Sequence, residues 1–299
     1  MLTSQAVVTS PHYTISRVAC ADDHTGWSEP EVSNAVQIVL VRRGRFRLDA
    51  QGRTVMVDPT TGYLHGPGTE ERFAHPAGGD VCTAITFTGD VLTAEPWLRA
   101  AIDAASPSVR VDARLELAHR LLLKQTAPPS RKPAPAPAAC TGGAEPGADA
   151  GCARGAGSVG TDEVGSLDEG LLGLLTLAVR SGVGARVPGP GRVELAERAR
   201  EAIVAGEGAD LVGLAGLLGT TPSHLSRTFR HHVGMTVSRY RNRVRVSRAL
   251  AAMEGGERDL AGLAVGLGFS DQAHLSRVMR DELGSTPGVV RGLLKSGTE

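Results

Sequence analysis

Two groups of side chains have types and spacings suited to chemistry. The first is a repeat: His224-Leu225-Ser226-Arg227 returns 50 residues later as His274-Leu275-Ser276-Arg277, and Gly234-Met235-Thr236 returns as Gly284-Ser285-Thr286. From Leu211 to Met253 there is no acidic residue, while seven arginines fall there: Arg227, Arg230, Arg239, Arg241, Arg243, Arg245 and Arg248. Guanidinium groups unopposed by carboxylates are an electrostatic footprint for phosphate. The second group is Cys20-x3-His24 with His75-x6-Cys82. Two thiols and two imidazoles are a ligand set that tetrahedral zinc accepts, provided the chain brings them together. The same residues also read as a Cys20–Cys82 thiol switch, or as inert buried thiols beside surface imidazoles.

The elements that must position the repeat are legible. Asp210 caps a helix carrying Leu211, Leu214, Ala215 and Leu218; Gly219 suits a left-handed turn, and Thr221 caps a second helix with Pro222 at its first position. One turn apart in that second helix, Leu225 and Phe229 face inward. Ser223, His224, Ser226, Arg227 and Arg230 are left to DNA, Arg227 able to fork onto guanine and Arg230 onto phosphate. In the second copy Asp259 caps, Gly268 turns, Ser270 caps, and Leu275 and Met279 pack. Gln272, His274, Ser276, Arg277 and Arg280 are then outward. Between the copies, Thr236 to Met253 has neither Gly nor Pro and predicts one long helix. Tyr240, Val244, Ser247 and Leu250 lie on its packed side and Arg241, Arg245 and Arg248 are exposed, to contact the DNA backbone or to steady the two units.

The amino-terminal part reads as β-structure. Alternating or β-branched runs recur at Tyr13–Ala19, Val36–Val41, Arg45–Asp49, Thr54–Val57 and Val81–Phe87, divided by turn signals such as Asp58-Pro59 and Gly66-Pro67-Gly68. Such spacing predicts a small barrel or sandwich, in which first and last strands can be neighbours. Two helical stretches, near Glu95–Ala105 and Val111–Lys124, follow, either to mediate dimerisation or to cap an open end. Arg42 to Arg47 form a basic cluster facing an anionic effector or water, and Trp27, Tyr63 and Phe73 belong to a pocket or to the core. His65 stands alone. Residues 125–190 read as a Pro/Ala/Gly-rich linker with a short helix near 167–180, so that the two folded parts, 1–124 and 191–299, are expected to be loosely tethered. Cys140 and Cys152 within it have no metal-like spacing.

Composition bounds the function classes. The chain has 299 residues, 32 basic and 32 acidic side chains, and no run of about 20 apolar residues that would span a bilayer. Zero net charge argues against a surface that coats nucleic acid indiscriminately. It is an average, however: residues 191–299 carry 15 basic and 12 acidic groups, while residues 1–124 carry 12 and 14. The Met1-Leu2-Thr3 start lacks a basic region followed by an apolar one, which predicts an unexported, cytoplasmic protein with reduced thiols. No phosphate loop, nucleophile elbow or paired-carboxylate arrangement appears, so no enzyme is expected.

Residues of about 192–295 resemble the DNA-binding domain of AraC/XylS-type transcriptional regulators, most specifically in Gly266-Leu-Gly-Phe-Ser-Asp-Gln-Ala-His-Leu-Ser-Arg-Val-Met-Arg280 and Thr221-Pro-Ser-His-Leu-Ser-Arg-Thr-Phe-Arg230. The resemblance implies an α+β chain: a cupin-like β-barrel with appended helices ahead of an all-α double helix-turn-helix domain. It carries base contact to Ser223, Ser226, Arg227, Gln272, Ala273, Ser276 and Arg277. It also implies a sequence-specific regulator with double-stranded DNA and RNA polymerase as partners, a small-molecule effector, a homodimer, and a barrel without catalytic metal. The rivals are a DNA-targeted enzyme, against which the lack of a Cys-x2-Cys pair counts, and a repeat that binds protein.

Overall fold

The computed structural model describes residues 2–21, 24–50, 52–76, 78–88, 108–126, 169–175, 177–178 and 190–295. The stretch expected as a helix near 95–105 and most of the expected linker lie outside these residues; 169–175 and 177–178 are helical.

Ten strands build the amino-terminal part: β1 (Leu2–Thr9), β2 (Tyr13–Cys20), β3 (Glu31–Val32), β4 (Val36–Arg43), β5 (Phe46–Ala50), β6 (Arg53–Val57), β7 (Thr61–His65), β8 (Glu70–Ala74), β9 (Asp80–Phe87) and β10 (Ser108–Arg110). They form a six-stranded sheet in the order β1-β2-β9-β4-β7-β10 and a four-stranded sheet in the order β3-β8-β5-β6, with every ladder antiparallel. The result is a double-layered antiparallel barrel. β4 shows why its sequence is an almost unbroken apolar run. Val39 and Val41 point into the core between the sheets with Phe46, Leu48 and Tyr63, while Ile38 and Leu40 point to the other face. Successive strand residues alternate between faces, so a strand covered on both sides must be apolar at each position.

That outer face is covered by α1 (Ala113–Gln125) and the helical residues 169–175 and 177–178. Asp112 starts α1 by accepting from Leu115 N at 2.8 Å. Leu115 and Leu122 pack on the barrel, whereas Ala113, Leu117 and Leu121 pack on the carboxy-terminal helices. α1 is therefore sandwiched between the two folded parts.

Seven helices follow: α2 (Pro190–Ala205), α3 (Leu211–Leu217), α4 (Pro222–Val233), α5 (Val237–Glu254), α6 (Leu260–Gly266), α7 (Gln272–Leu283) and α8 (Pro287–Lys295). Asp210, Thr221 and Asp259 accept from helix-opening amides as expected, and Thr236 does the same at the start of α5. At α7 the cap is Asp271, not Ser270: its carboxylate accepts from His274 N at 2.7 Å, and Ser270 instead donates to Asp271. Gly219 and Gly268, at φ of 65° and 80°, make the turn inside each unit, a left-handed conformation open to glycine at little cost.

α5 is shared by two cores. Its first half gives Tyr240 and Val244 to a cluster with Leu214, Leu225 and Phe229; its second half gives Val246, Ala249, Leu250 and Met253 to one with Ala264, Leu275 and Met279. Leu225, Phe229, Leu275 and Met279 are fully buried, each burial worth about 1.5–3 kcal/mol.

Candidate nucleic-acid interface

With Leu225 and Phe229 anchoring α4, and Leu275 and Met279 anchoring α7, the opposite face of each helix is turned outward in the same frame. Ser223, His224, Arg227 and Arg230 are exposed and Ser226 is half-buried; Gln272, Ala273, Arg277 and Arg280 are exposed, and Ser276 and His274 are half-buried. Arg227 rests its Nε 3.4 Å from Ser223 O, folded along its own helix. His274 leans on the start of α7, its Nδ1 3.3 Å from Ser270 Oγ and its ring edge-on to Phe269. His224 is the more open of the two. α4 carries no carboxylate, whereas α7 ends with Asp281 and Glu282, and Glu282 pairs with Arg239 at 3.2 Å to link the two units.

The arginines of α5 divide differently from the sequence expectation. Arg241 donates to the carbonyls of Gly208, Ala209 and Asp210, and Arg245 lies over the Phe269 ring, 5.5 Å from its centroid. Both are half-buried and hold one helix-turn-helix against α5, the steadying role rather than an open approach to phosphate. Arg248 donates to Val204 O at 2.6 Å. Arg243, counted above in the phosphate footprint, is 2% exposed and faces the barrel. The acid-free stretch thus serves two purposes, because the acids that answer it lie far away in sequence.

Those distant acids dock the barrel on the helices, in place of a loose tether. Asp58, wholly buried, accepts from Tyr240 Oη at 2.9 Å and Arg200 Nη2 at 3.1 Å. Glu116 of α1 meets Arg243 Nη1 at 2.7 Å, Arg120 Nη2 at 2.7 Å and Ser247 Oγ at 2.8 Å. Burial pushes the Glu116 carboxyl up, but Arg243 and Arg120 overcome it and hold the group below its ordinary value. Beside them, burial together with Arg42 and Arg120 brings His119 down to about 3. In the basic cluster on the β4–β5 turn, Arg42 pairs with Glu254 at 2.6 Å and Arg47 with Glu201 at 2.7 Å, while Arg43 is exposed. Complementary charge was visible in Glu197 and Glu201, one turn apart on α2, but not which distant arginine it meets.

In the barrel, Tyr63 and Phe73 join the aromatic packing between the sheets, while Trp27 is 42% exposed. His65 is not alone; its Nδ1 lies 2.7 Å from Glu71 Oε2, both groups buried. The Cys/His set does converge. β2 and β9 are neighbours with Cys20 opposite Asp80 and Val18 opposite Cys82. The ligand atoms of Cys20, His75 and Asp80 all lie within 4.8 Å of one another, all three residues buried. Cys82 donates to Asp80 Oδ1 at 3.1 Å, and His24 Nε2 lies 3.3 Å from His75 Nδ1. The inner set is therefore Cys20, His75 and Asp80, with His24 and Cys82 behind it. Asp80 was missed because a lone aspartate at a strand start carries no signal; its place two residues before Cys82, on the same strand face, was the available clue. Burial, then Asp80, raises the Cys20 thiol, and the same two causes raise that of Cys82 well above the ordinary value.

Two helix-turn-helix units are thus braced on one shared helix, behind a double-layered antiparallel barrel. Residues 214–292 match the family model described as a helix-turn-helix domain. Over 67 residues the chain is 33% identical to the HTH-type transcriptional activator RhaS of Escherichia fergusonii, a match spanning 22% of this chain and 24% of that protein. Among solved structures, unsaturated fatty acid bound ToxT from Vibrio cholerae matches 97% of this chain and 98% of its own at 11% identity and TM-score 0.35. A cupin superfamily protein from Desulfitobacterium hafniense matches 29% of this chain and 77% of its own at 16% identity and TM-score 0.26. No helix among the described residues is long and apolar enough to cross a membrane.

Proposed function

We propose that the chain is a sequence-specific transcriptional regulator that reads double-stranded DNA with α4 and α7 and answers to an effector sensed by the barrel. The observation that carries this reading is the equivalence of the two helices: the same outward positions, Ser223, Ser226, Arg227 and Arg230 against Ala273, Ser276, Arg277 and Arg280, over the same buried anchors. Two recognition helices presented by one rigid frame suit successive major-groove segments, roughly 34 Å apart along the duplex. Arg227 and Arg277 fork onto guanine edges, with Gln272 and the serines completing base contact; Arg230 and Arg280 neutralise phosphate. Binding then acts on transcription by bringing the protein beside RNA polymerase in the cytoplasm, with a homodimer doubling the read sequence and with no catalytic step.

Effector response is supported by the docking. Asp58, Glu116 and Arg42 of the barrel half engage Arg200, Tyr240, Arg243 and Glu254 of the reader half, so a shift in the barrel reaches α2 and α5 directly. Genome-wide mapping of bound sites, with an electrophoretic shift on one recovered site, tests the reading. The expected result is retardation of that site over random duplex, lost in Arg227→Ala/Arg277→Ala. A double variant that keeps the full preference for the mapped site over random duplex overturns it.

A further inference from the structure

We propose that the end of the barrel formed by β2, β9 and the β8–β9 turn is a binding site for a divalent transition-metal ion, zinc by ligand chemistry, with Cys20 Sγ, His75 Nε2 and Asp80 Oδ2 as ligands. A hydrogen-bond relay carries the argument. His24 Nδ1 lies 2.8 Å from Gly26 O. A carbonyl only accepts, so that nitrogen holds the hydrogen, and in the neutral ring Nε2 is left as an acceptor. Its partner, His75 Nδ1 at 3.3 Å, must therefore donate. The neutral His75 ring then presents a bare Nε2 lone pair 3.0 Å from Asp80 Oδ2. That carboxylate oxygen is buried and has no hydrogen-bond partner of proper geometry among the described residues. With that ring neutral, two lone pairs face each other beside the Cys20 sulfur, and they call for a cation between them, a metal ion in place of the proton that would otherwise sit on His75 Nε2.

The surroundings fit a built site. His24 orients His75 as an outer hydrogen-bonding partner orients a metal-bound imidazole, and Cys82 restrains the second carboxylate oxygen from 3.1 Å. The backbone is held close by glycines: a Cβ on Gly79 would fall 2.3 Å from Cys20 O, and one on Gly44 2.5 Å from Gly79 O. A cleft of about 420 Å³ reaches Cys20 and Asp80 from solvent, with Arg43 and Thr3 at its margin, and offers both an entry path and room for water as fourth ligand. Sulfur, imidazole and carboxylate together favour zinc over magnesium or calcium, which take oxygen alone. The inference is independent of DNA binding.

The test uses the full chain purified without chelator. Mass-spectrometric metal analysis should find about one zinc per chain. After stripping, cobalt(II) should restore one equivalent and give a thiolate-to-metal charge-transfer band. Cys20→Ser should abolish the band; His75→Ala and Asp80→Asn should weaken cobalt binding, and His24→Ala should weaken it about 10- to 100-fold. Cys82→Ser should keep the band, and circular dichroism should show each variant folded. Absence of metal as purified together with no band on cobalt addition overturns the site and leaves a proton between His75 and Asp80. A band lost in Cys82→Ser but kept in Cys20→Ser also overturns it.

Discussion

The first helix-turn-helix meets the barrel half through charge, the second through apolar surface. Arg200 of α2 donates to Asp58, Glu201 pairs with Arg47, and Glu197 accepts from Met56 N at 3.1 Å. α7 and α8 instead pack on Ala113, Leu117 and Leu121 of α1. The two units share caps, turn glycines and anchors, so local sequence cannot explain the contrast. It arises from what α1 and the barrel turns present. An apolar seam tolerates sliding and is indifferent to pH; buried ion pairs hold a geometry tightly and fail sharply when one partner is lost. Arg243 and Glu116 lie between the two attachments, which makes α5 the member through which both are set.

The largest effect expected is at that junction. Arg243→Met leaves Glu116 buried with only one of its two equally close cations, Arg120, and should cost about 3 kcal/mol in urea unfolding, whereas pairing it with Glu116→Leu should recover most of the loss. Equal losses in the single and double variants would break the view that an unpaired buried charge is the cause. Next, Asp58→Asn should cost about 2–3 kcal/mol by weakening its hydrogen bonds to Arg200 and Tyr240. Hydrogen exchange should rise in α2 and leave α7 protected; uniform loosening would erase the distinction between the two attachments.

Acid should act on the same side. The folded His119 value, about 3, lies below the unfolded value near 6.5, so below pH 6.5 the unfolded chain takes up a proton that the folded chain refuses. Stability is therefore lost as pH falls, by about 2 kcal/mol between pH 7 and pH 4.5, and His119→Leu should flatten that slope. Glu116, also held below its ordinary value, contributes in the same sense, its share present above the unfolded value and lost as pH falls through the folded one. The smallest effects belong to the proposed DNA face: Arg277→Ala should cost about 1–3 kcal/mol of binding and relax sequence preference, while Arg230→Ala should weaken all duplexes alike and lower the salt slope by about one. If Arg227→Ala costs less than Arg277→Ala on a mapped site, the second unit dominates readout.

Much of the reader was legible because its signals are local. Caps at Asp210, Thr221 and Asp259, turns at Gly219 and Gly268, and anchors at Leu225, Phe229, Leu275 and Met279 each lie within a few residues of the structure they set. Ser270 was misread for Asp271 because adjacent cap residues compete, and the carboxylate accepts the amide more strongly. The strands of the barrel were read from alternation. The convergence of the cysteine and histidine side chains was read in outline, since the pairing of β2 with β9 was foreseeable but the strand register that sets Asp80 opposite Cys20 was not.

What the amino-acid sequence determined by itself is the double reading unit, its outward residues and the two-part plan, because helix periodicity and capping act over one or two turns. Only the tertiary structure decided that Arg241, Arg243, Arg245 and Arg248 turn inward to protein partners, that α1 is buried on two sides, and that the halves are docked. An arginine on a helix is the same signal whether phosphate or a distant glutamate answers it. The choice depends on which partner the fold brings close, the Glu116 carboxylate for Arg243 and backbone carbonyls or an aromatic ring for Arg241, Arg245 and Arg248, and that is a property of packing between elements rather than of any one helix.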